Sequence, residues 1–345
     1  MKKSRQLLPI DQAKAPFFAG CDVGGTNIKI GIVDSQGHAV AFRQISTDQE
    51  RGPDDAAQRM AQVVSELQKE VGLPEGSVIR VGIATPGPMD IPSGMLLCPG
   101  NLPAWHNTPI RDLVSQACGL PATFANDANA AAYGEFWRGA GEKFDNMVLL
   151  TLGTGLGAGI ILNDRLLVGA HSCGGECGHI IIDCRDDAPV NSLGIRGTLE
   201  GFVGSGGVIA RARQALAESH APSPLRELAA SADEDALTPL EIAKAAEQGD
   251  AIAMQVILDT ARYLAIGIVT IVHTVDPETV VLGGAMTFGG AGHPLGERFL
   301  QEVRTQAKER MITSLRDQIA IDFALLGGSA GFIGAAGLAR LEVIG

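Results

Sequence analysis

The sequence predicts an α/β chain folded as two lobes, and three observations carry that expectation. A strand–glycine loop–strand–turn–strand pattern occurs near the N-terminus and recurs from Met147 onward, which suggests an internal duplication. Between and after these clusters, helical and strand periodicities alternate. The length of 345 residues suits about two domains.

The first cluster opens with the buried strand Phe17 to Val23. The loop Gly24-Gly25-Thr26-Asn27 follows, then the alternating strand Ile28 to Val33 and the turn Asp34-Ser35-Gln36-Gly37. His38 to Ile45 completes an antiparallel meander. Pro53 to Val71 reads as a helix, Val78 to Ala84 as a strand, Ile110 to Cys118 as a helix, Ala122 to Ala125 as a strand and Asp127 to Gly139 as a helix. The second cluster comprises strand Met147 to Leu152, loop Gly153 to Gly157, strand Ala158 to Leu162, turn Asn163-Asp164 and the short strand Arg165 to Val168. Helices follow at Gly207 to Ala217, Pro239 to Gly249 and Ala251 to Thr274, the last long, apolar and expected in the core. Thr279 to Leu282 is a strand, Leu295 to Glu309 a helix, Ile319 to Leu325 a strand and Ser329 to Leu341 the final helix. Ser219 to Asp235 is polar and reads as a mobile surface loop. One lobe is expected over 17–124 with the C-terminal helix 329–345, the other over 125–328.

Composition excludes several classes. A chain 46% hydrophobic and 19% charged is not disordered, and its 44 glycines keep no collagen period. No apolar run reaches the roughly 18 residues of a membrane span. A net charge of −12 without a basic cluster argues against nucleic acid. Lys2, Lys3 and Arg5 resemble the start of a signal peptide, but Leu7-Leu8-Pro9-Ile10 is too short an apolar core. Cys21, Cys98, Cys118, Cys173, Cys177 and Cys184 are scattered and read as reduced thiols of a cytoplasmic protein.

Two motifs are decoys. Gly153 to Ala158 fits the relaxed dinucleotide fingerprint, but a strand follows where that motif needs a helix. Gly327-Gly328-Ser329-Ala330-Gly331 fits a nucleophile elbow, yet no Asp and no His follows the serine.

The chemistry-bearing residues lie elsewhere. Asp22 ends a buried strand and precedes a hairpin of small residues, Gly24, Gly25, Thr26 and Asn27, with Lys29 beyond. Backbone N–H groups there can wrap phosphate oxygens, and a neighbouring carboxylate can hold Mg²⁺ directly or through water. A plain Gly-Gly hairpin is the alternative. Gly153, Thr154 and Gly155 form a second such loop, expected to face the first across a cleft. Gly283 and Gly284 form a third, open enough for a flat base. Asn126 and Asp127 sit at a strand-to-helix switch: either they cap the helix, or Asp127 takes a proton from an alcohol, helped by the positive end of the helix. Glu176 and His179 are spaced to bind sugar hydroxyls or to satisfy their own loop, and Glu200 has the same two readings. Cys173, Cys177, His179 and Cys184 match no common zinc module.

Together these residues resemble the ROK family of sugar kinases, most closely its bacterial-type glucokinases, from about Phe18 to Leu341. Asp22-Val-Gly-Gly-Thr-Asn-Ile-Lys29, Leu152-Gly-Thr-Gly-Leu-Gly157 and Val281-Leu-Gly-Gly-Ala285 resemble its two phosphate motifs and its adenosine motif. Gly82 to Pro88, Pro99-Gly-Asn101-Leu-Pro, Asn126-Asp127 and Gly175-Glu176-x-Gly178-His179 match in order. The resemblance implies a two-lobed actin/hexokinase-like fold (a duplicated ribonuclease H-like fold), ATP, Mg²⁺, a hexose, closing lobes and a homodimer. It implies Asp127 as general base on the 6-hydroxyl, and Asn101, Asn126, Glu176, His179 and Glu200 as sugar ligands. Glucose is the expected sugar. Other hexoses (fructose, N-acetylmannosamine, N-acetylglucosamine) and a catalytically silent sugar-binding regulator are the alternatives. The stretch ahead of Phe17 is too short for the DNA-binding region of the family's repressors.

One departure stands out. The family motif carries three cysteines that bind zinc with the histidine. Here Asn191, Leu193 and Thr198 occupy their positions. No structural zinc is expected, His179 is expected to be free for the sugar, and the stretch from Asn191 to Thr198 is expected to be ordered by packing.

Overall fold

A computed structural model describes residues 7–233 and 235–344. Its strands are β1 (Phe17–Val23), β2 (Asn27–Val33), β3 (Ala39–Ser46), β4 (Val78–Thr85), β5 (Met89–Asp90), β6 (Met95–Leu96), β7 (Ala122–Asn126), β8 (Met147–Leu152), β9 (Leu156–Leu162), β10 (Arg165–Leu166), β11 (Thr279–Gly284) and β12 (Ala320–Phe323). Its helices are α1 (Gly52–Glu70), α2 (Ile110–Cys118), α3 (Asp127–Arg138), α4 (Leu199–Val203), α5 (Ser205–Glu218), α6 (Leu225–Ala229), α7 (Pro239–Glu247), α8 (Ala251–Val275), α9 (Pro294–Arg310) and α10 (Ala330–Ile344).

The duplication appears as topology. One sheet has order β3-β2-β1-β4-β7 and the other β10-β9-β8-β11-β12. In the first, β1 pairs antiparallel with β2 and parallel with β4, and β4 is parallel to β7. In the second, β11 is parallel to both β8 and β12. The chain divides into two compact units. The first is Met1–Asp145 with Gly159–Gly175 and Leu325–Gly345, and the second is Asn146–Ala158 with Glu176–Ala324.

In the first unit, the alternation along β1 sends Phe17, Ala19, Cys21 and Val23 into a core with Met60 and Leu67 of α1 and Ile110 and Val114 of α2. Phe18 packs on the opposite face with Phe332, Ile333 and Ala336 of α10. Helix α10 approaches backbone to backbone. A Cβ on Gly82 would fall 1.8 Å from the Ala335 carbonyl, and one on Gly334 would fall 1.6 Å from the Ala130 carbonyl of α3. The chain enters α10 through buried Glu135, whose carboxylate accepts the N–H groups of Ala140, Leu325 and Leu326 at 3.0, 3.0 and 2.7 Å.

In the second unit, α8 is the core helix. Asp250 caps it, its carboxylate accepting the Ala253 N–H at 2.8 Å, and Val256, Ile257, Leu264 and Ile268 are buried. Among the described residues α8 is the one helix long and apolar enough to cross a membrane by length and composition. Its burial and its Asp259–Arg262 ion pair at 3.3 Å mark it as a core helix. The polar segment expected to be a mobile loop is built differently. It contains α6, and the Arg226 guanidinium donates to the carbonyls of Leu216 and Ala221 at 2.8 and 2.9 Å. Glu234, within that segment, lies outside the described residues.

Candidate active site

The first glycine loop is the turn between β1 and β2. Asp22 and Lys29 are direct cross-strand partners, so their side chains share a face, and Lys29 Nζ lies 3.2 Å from Asp22 Oδ2. The Gly24 N–H donates to the Asn27 carbonyl at 2.9 Å, and buried Thr47 secures the turn from beyond β3. Its hydroxyl donates to the Gly24 carbonyl at 2.6 Å and its N–H to the Thr26 carbonyl at 2.9 Å. Among the described residues, the Gly25 and Thr26 N–H groups donate to no protein acceptor. Asn101 is brought beside this loop, its carbonyl 3.0 Å from where a Gly25 Cβ would lie. Gly331, met in the sequence only as part of the nucleophile-elbow decoy, lies in α10 against Asp22. A Cβ there would come within 2.5 Å of the Asp22 carboxylate.

Asn126 and Asp127 share the sheet edge with Asp22, because Asp22 is level with Ala84 of β4 and Ala84 with Ala125 of β7. Two strand spacings, about 10 Å, separate β1 from β7. Asn126 caps α3: its Oδ1 accepts the N–H groups of Ala128 and Asn129 at 2.9 and 3.3 Å. Asp127 is the first residue of α3, and its carboxylate also accepts the Ala128 N–H, at 2.8 Å.

In the second unit, the two remaining glycine loops lie side by side at the ends of parallel strands. Gly283 is in register with Thr151 and Gly284 with Leu152. Gly284 has φ +89°, and a Cβ there would fall 2.2 Å from the Leu152 carbonyl. The turn after β8 is closed by the Gly153 N–H on the Gly155 carbonyl at 3.0 Å. The Ser205 N–H at the start of α5 donates to the carbonyls of Gly153 and Thr154 at 3.1 and 3.2 Å.

Glu200 meets this loop directly. Its Oε2 accepts the Leu156 N–H at 3.0 Å and would lie 2.3 Å from a Cβ on Gly155. Glu200 is held on α4, which Thr198 caps by accepting the Gly201 N–H at 3.2 Å. Arg211 of α5 donates to the Phe202 carbonyl at the far end of α4 at 2.6 Å and to Thr260 Oγ1 at 2.9 Å. Burial pulls the Arg211 guanidinium down from its ordinary pKa.

Glu176 precedes and His179 ends a single 3₁₀ turn, with His179 Nε2 3.7 Å from Glu176 Oε2. The following stretch differs from expectation. Asn191 to Thr198 is ordered less by apolar packing, since Leu193 and Ile195 are 69% and 42% exposed, than by hydrogen bonds. Asn191 Oδ1 accepts the N–H groups of Leu193 and Ile195 at 3.1 and 2.9 Å, and its Nδ2 lies 3.0 Å from His179 Nδ1. His179 is therefore engaged through Nδ1 rather than wholly free. Among the described residues, no group of three or more His, Cys, Asp or Glu side chains is placed to hold a metal ion. All six cysteines are free thiols, and burial pushes those of Cys118 and Cys177 up to about 11.

Within each unit the expected residues converge. Asp22, the Gly24–Lys29 turn, Asn101, Asn126 and Asp127 gather in the first. Gly153–Gly155, Gly283, Gly284, Glu200, Glu176 and His179 gather in the second. Thr47, Gly331 and the side-chain roles of Asn191 and Arg211 were not expected. The partners of Thr47 and Gly331 lie far away in sequence, and those of Asn191 and Arg211 follow no motif spacing, so spacing carries no signal for them.

Paired sheets of one strand order, with glycine loops at their parallel strand ends, define the actin/hexokinase-like class. The chain belongs to the ROK family, whose model matches residues 18–342. It is 30% identical over 94% of its length to a glucokinase of Halalkalibacterium halodurans, 96% of which is covered. It resembles the crystal structure of a ROK hexokinase from Thermus thermophilus, with TM-score 0.79, 29% identity and 95% and 99% of the two chains covered. A ROK family glucokinase from Streptomyces griseus, solved with glucose and AMPPNP, matches with TM-score 0.73, 31% identity and 94% and 99% coverage.

Proposed function

We propose that this chain is an ATP-dependent hexokinase that phosphorylates glucose at its 6-hydroxyl. The observation that carries the reading is the placement of Asp127 at the start of α3, on the sheet edge that also presents Asp22 and the Gly24–Lys29 turn. Similarity to a glucokinase solved with glucose and an ATP analogue supports both substrates.

In this reading Asp127 accepts the proton of the 6-hydroxyl as that oxygen bonds to the γ-phosphorus of ATP, and ADP leaves. The sugar is oriented by Asn101, Asn126, Glu176, His179 and Glu200. Asn126 does so with its Nδ2, because its Oδ1 is taken by the helix cap. The N–H groups of Gly25 and Thr26, with Asn27, Gly153, Thr154 and Gly155, hold phosphate oxygens. Gly283 and Gly284 admit the adenine. Most of the rate comes from positioning, as phosphoryl transfer requires. The site fits Mg²⁺ by the chemistry of its donor: Asp22 offers a carboxylate at the end of β1, packed closely against Gly331 of α10 beside the turn whose N–H groups would hold phosphate. Bound there, directly or through water, Mg²⁺ supplies charge neutralisation for the phosphates. A homodimeric, cytoplasmic enzyme without a nucleic-acid or membrane partner completes the proposal.

Asp127→Asn is expected to lower kcat by about 10²–10⁴ with the fold intact, measured by coupled ADP release and circular dichroism. Unchanged turnover removes Asp127 from the role of base. The same assay across glucose, fructose, N-acetylmannosamine and N-acetylglucosamine fixes the sugar. Sugar binding by calorimetry without turnover on any of them would identify a silent regulator instead.

A further inference from the structure

We propose that Asn191 is the positioning residue that fixes His179 in its Nε2–H tautomer, making Nε2 the donor to a sugar hydroxyl. The inference rests on the sugar-binding role just proposed for His179.

The tautomer follows from the hydrogen bonds of one buried amide. Asn191 is 8% exposed. Its Oδ1 accepts two backbone N–H groups, from Leu193 at 3.1 Å and Ile195 at 2.9 Å. Turning the amide over would set its NH₂ against both donors, so the orientation is determined by the network. The group 3.0 Å from His179 Nδ1 is therefore the Asn191 NH₂. An amide NH₂ only donates, so Nδ1 must present its lone pair. In the neutral ring the proton then sits on Nε2.

The other side of the ring agrees. Nε2 faces a carboxylate, Glu176 Oε2, at 3.7 Å. That is too long for a direct hydrogen bond. It suits a hydroxyl that accepts from Nε2–H and donates to Glu176.

Asn191 is itself held rigidly. Its N–H donates to the Ile195 carbonyl and its carbonyl accepts the Gly194 N–H, both at 3.0 Å. Val190 and Arg196 form a bridge, and the Arg196 guanidinium donates to the Ala188 carbonyl at 2.6 Å. A neutral amide thus sets the direction of the imidazole, acting through a turn closed on itself.

Long-range ¹H–¹⁵N NMR of the full chain above about pH 8, where ordinary imidazole is neutral, reads the tautomer without any ligand. Nε2–H is expected for His179. In Asn191→Asp, one carboxylate oxygen can still accept the Leu193 and Ile195 N–H groups, while the other demands a proton on Nδ1. The tautomer is expected to invert and the KM for glucose to rise about tenfold, the cost of one hydrogen bond of about 1.4 kcal/mol. The KM for ATP and the melting temperature should stay near wild type. An Nδ1–H tautomer in the wild-type protein, which needs no variant to detect, overturns the proposal. So does a tautomer that fails to invert, or one that inverts while the glucose KM stays fixed. His179→Ala separates the two claims: an unchanged glucose KM in that variant removes His179 from the sugar site, whichever nitrogen carries the proton.

Discussion

The turn at Gly24–Asn27 and the turn at Gly153–Gly155 follow the corresponding strands, β1 and β8, of two sheets with the same order, yet they are secured in different ways. The first is held from its carbonyl side by Thr47, and its charged groups form a cross-strand ion pair. The second is held by a carboxylate from elsewhere in its unit: Glu200 accepts the Leu156 N–H and fills the space a side chain on Gly155 would need. The same local pattern therefore yields one turn with N–H groups left open and one turn tied to a proposed sugar ligand. Duplication conserved the scaffold, and the long-range partners diversified the loops.

The largest expected effect tests that tie. Gly155→Ala places a methyl 2.3 Å from the Glu200 carboxylate, which must leave the Leu156 N–H. Because an ångström of misplacement costs about 10²-fold, kcat/KM in the coupled assay should fall by that order. Gly25→Ala, whose methyl meets the Asn101 carbonyl at 3.0 Å, should cost clearly less. Equal losses would erase the distinction between the turns. Next in size, Glu200→Ala strands the Leu156 N–H and should destabilise the chain by about 1–3 kcal/mol in urea unfolding. Glu200→Gln, which keeps an acceptor, should recover most of that while still weakening sugar binding. The smallest effect belongs to the first turn. Thr47→Val removes the hydroxyl donated to the Gly24 carbonyl, and a loss of about 1 kcal/mol is expected by the same measurement.

The parts legible in the sequence were those set by local pattern. The strand periods of β1, β8 and β11 and the apolar face of α8 were read within a residue or two of their ends. So were the glycine loops that follow the strands. The parts that were not legible depend on contacts far apart in the chain or on side-chain hydrogen bonds that follow no motif. Nothing near Leu156 signals Glu200, and nothing in the last helix signals that Gly331 makes room for Asp22. Asn191 could be read only as a missing cysteine, because its meaning lies in which amide atom faces the backbone donors and which faces the His179 ring. Arg226 likewise turned a polar stretch into a structured one through carbonyls of the residues around it.

Helix α10 carries a consequence for the order in which the molecule is made. The first sheet leaves Gly20 and Gly82 as a shallow trough, and Phe18, Val33 and Ala39 apolar beside it, until Phe332, Ile333 and Ala336 arrive. Those residues leave the ribosome only after the whole second unit has been synthesised. The second unit, nearly continuous in sequence, can condense while translation proceeds. The first must wait with one face open, and its completion closes the long loop from Phe18 to Phe332, a slow step for topological reasons. In this protein the N-terminal half is synthesised first and finished last.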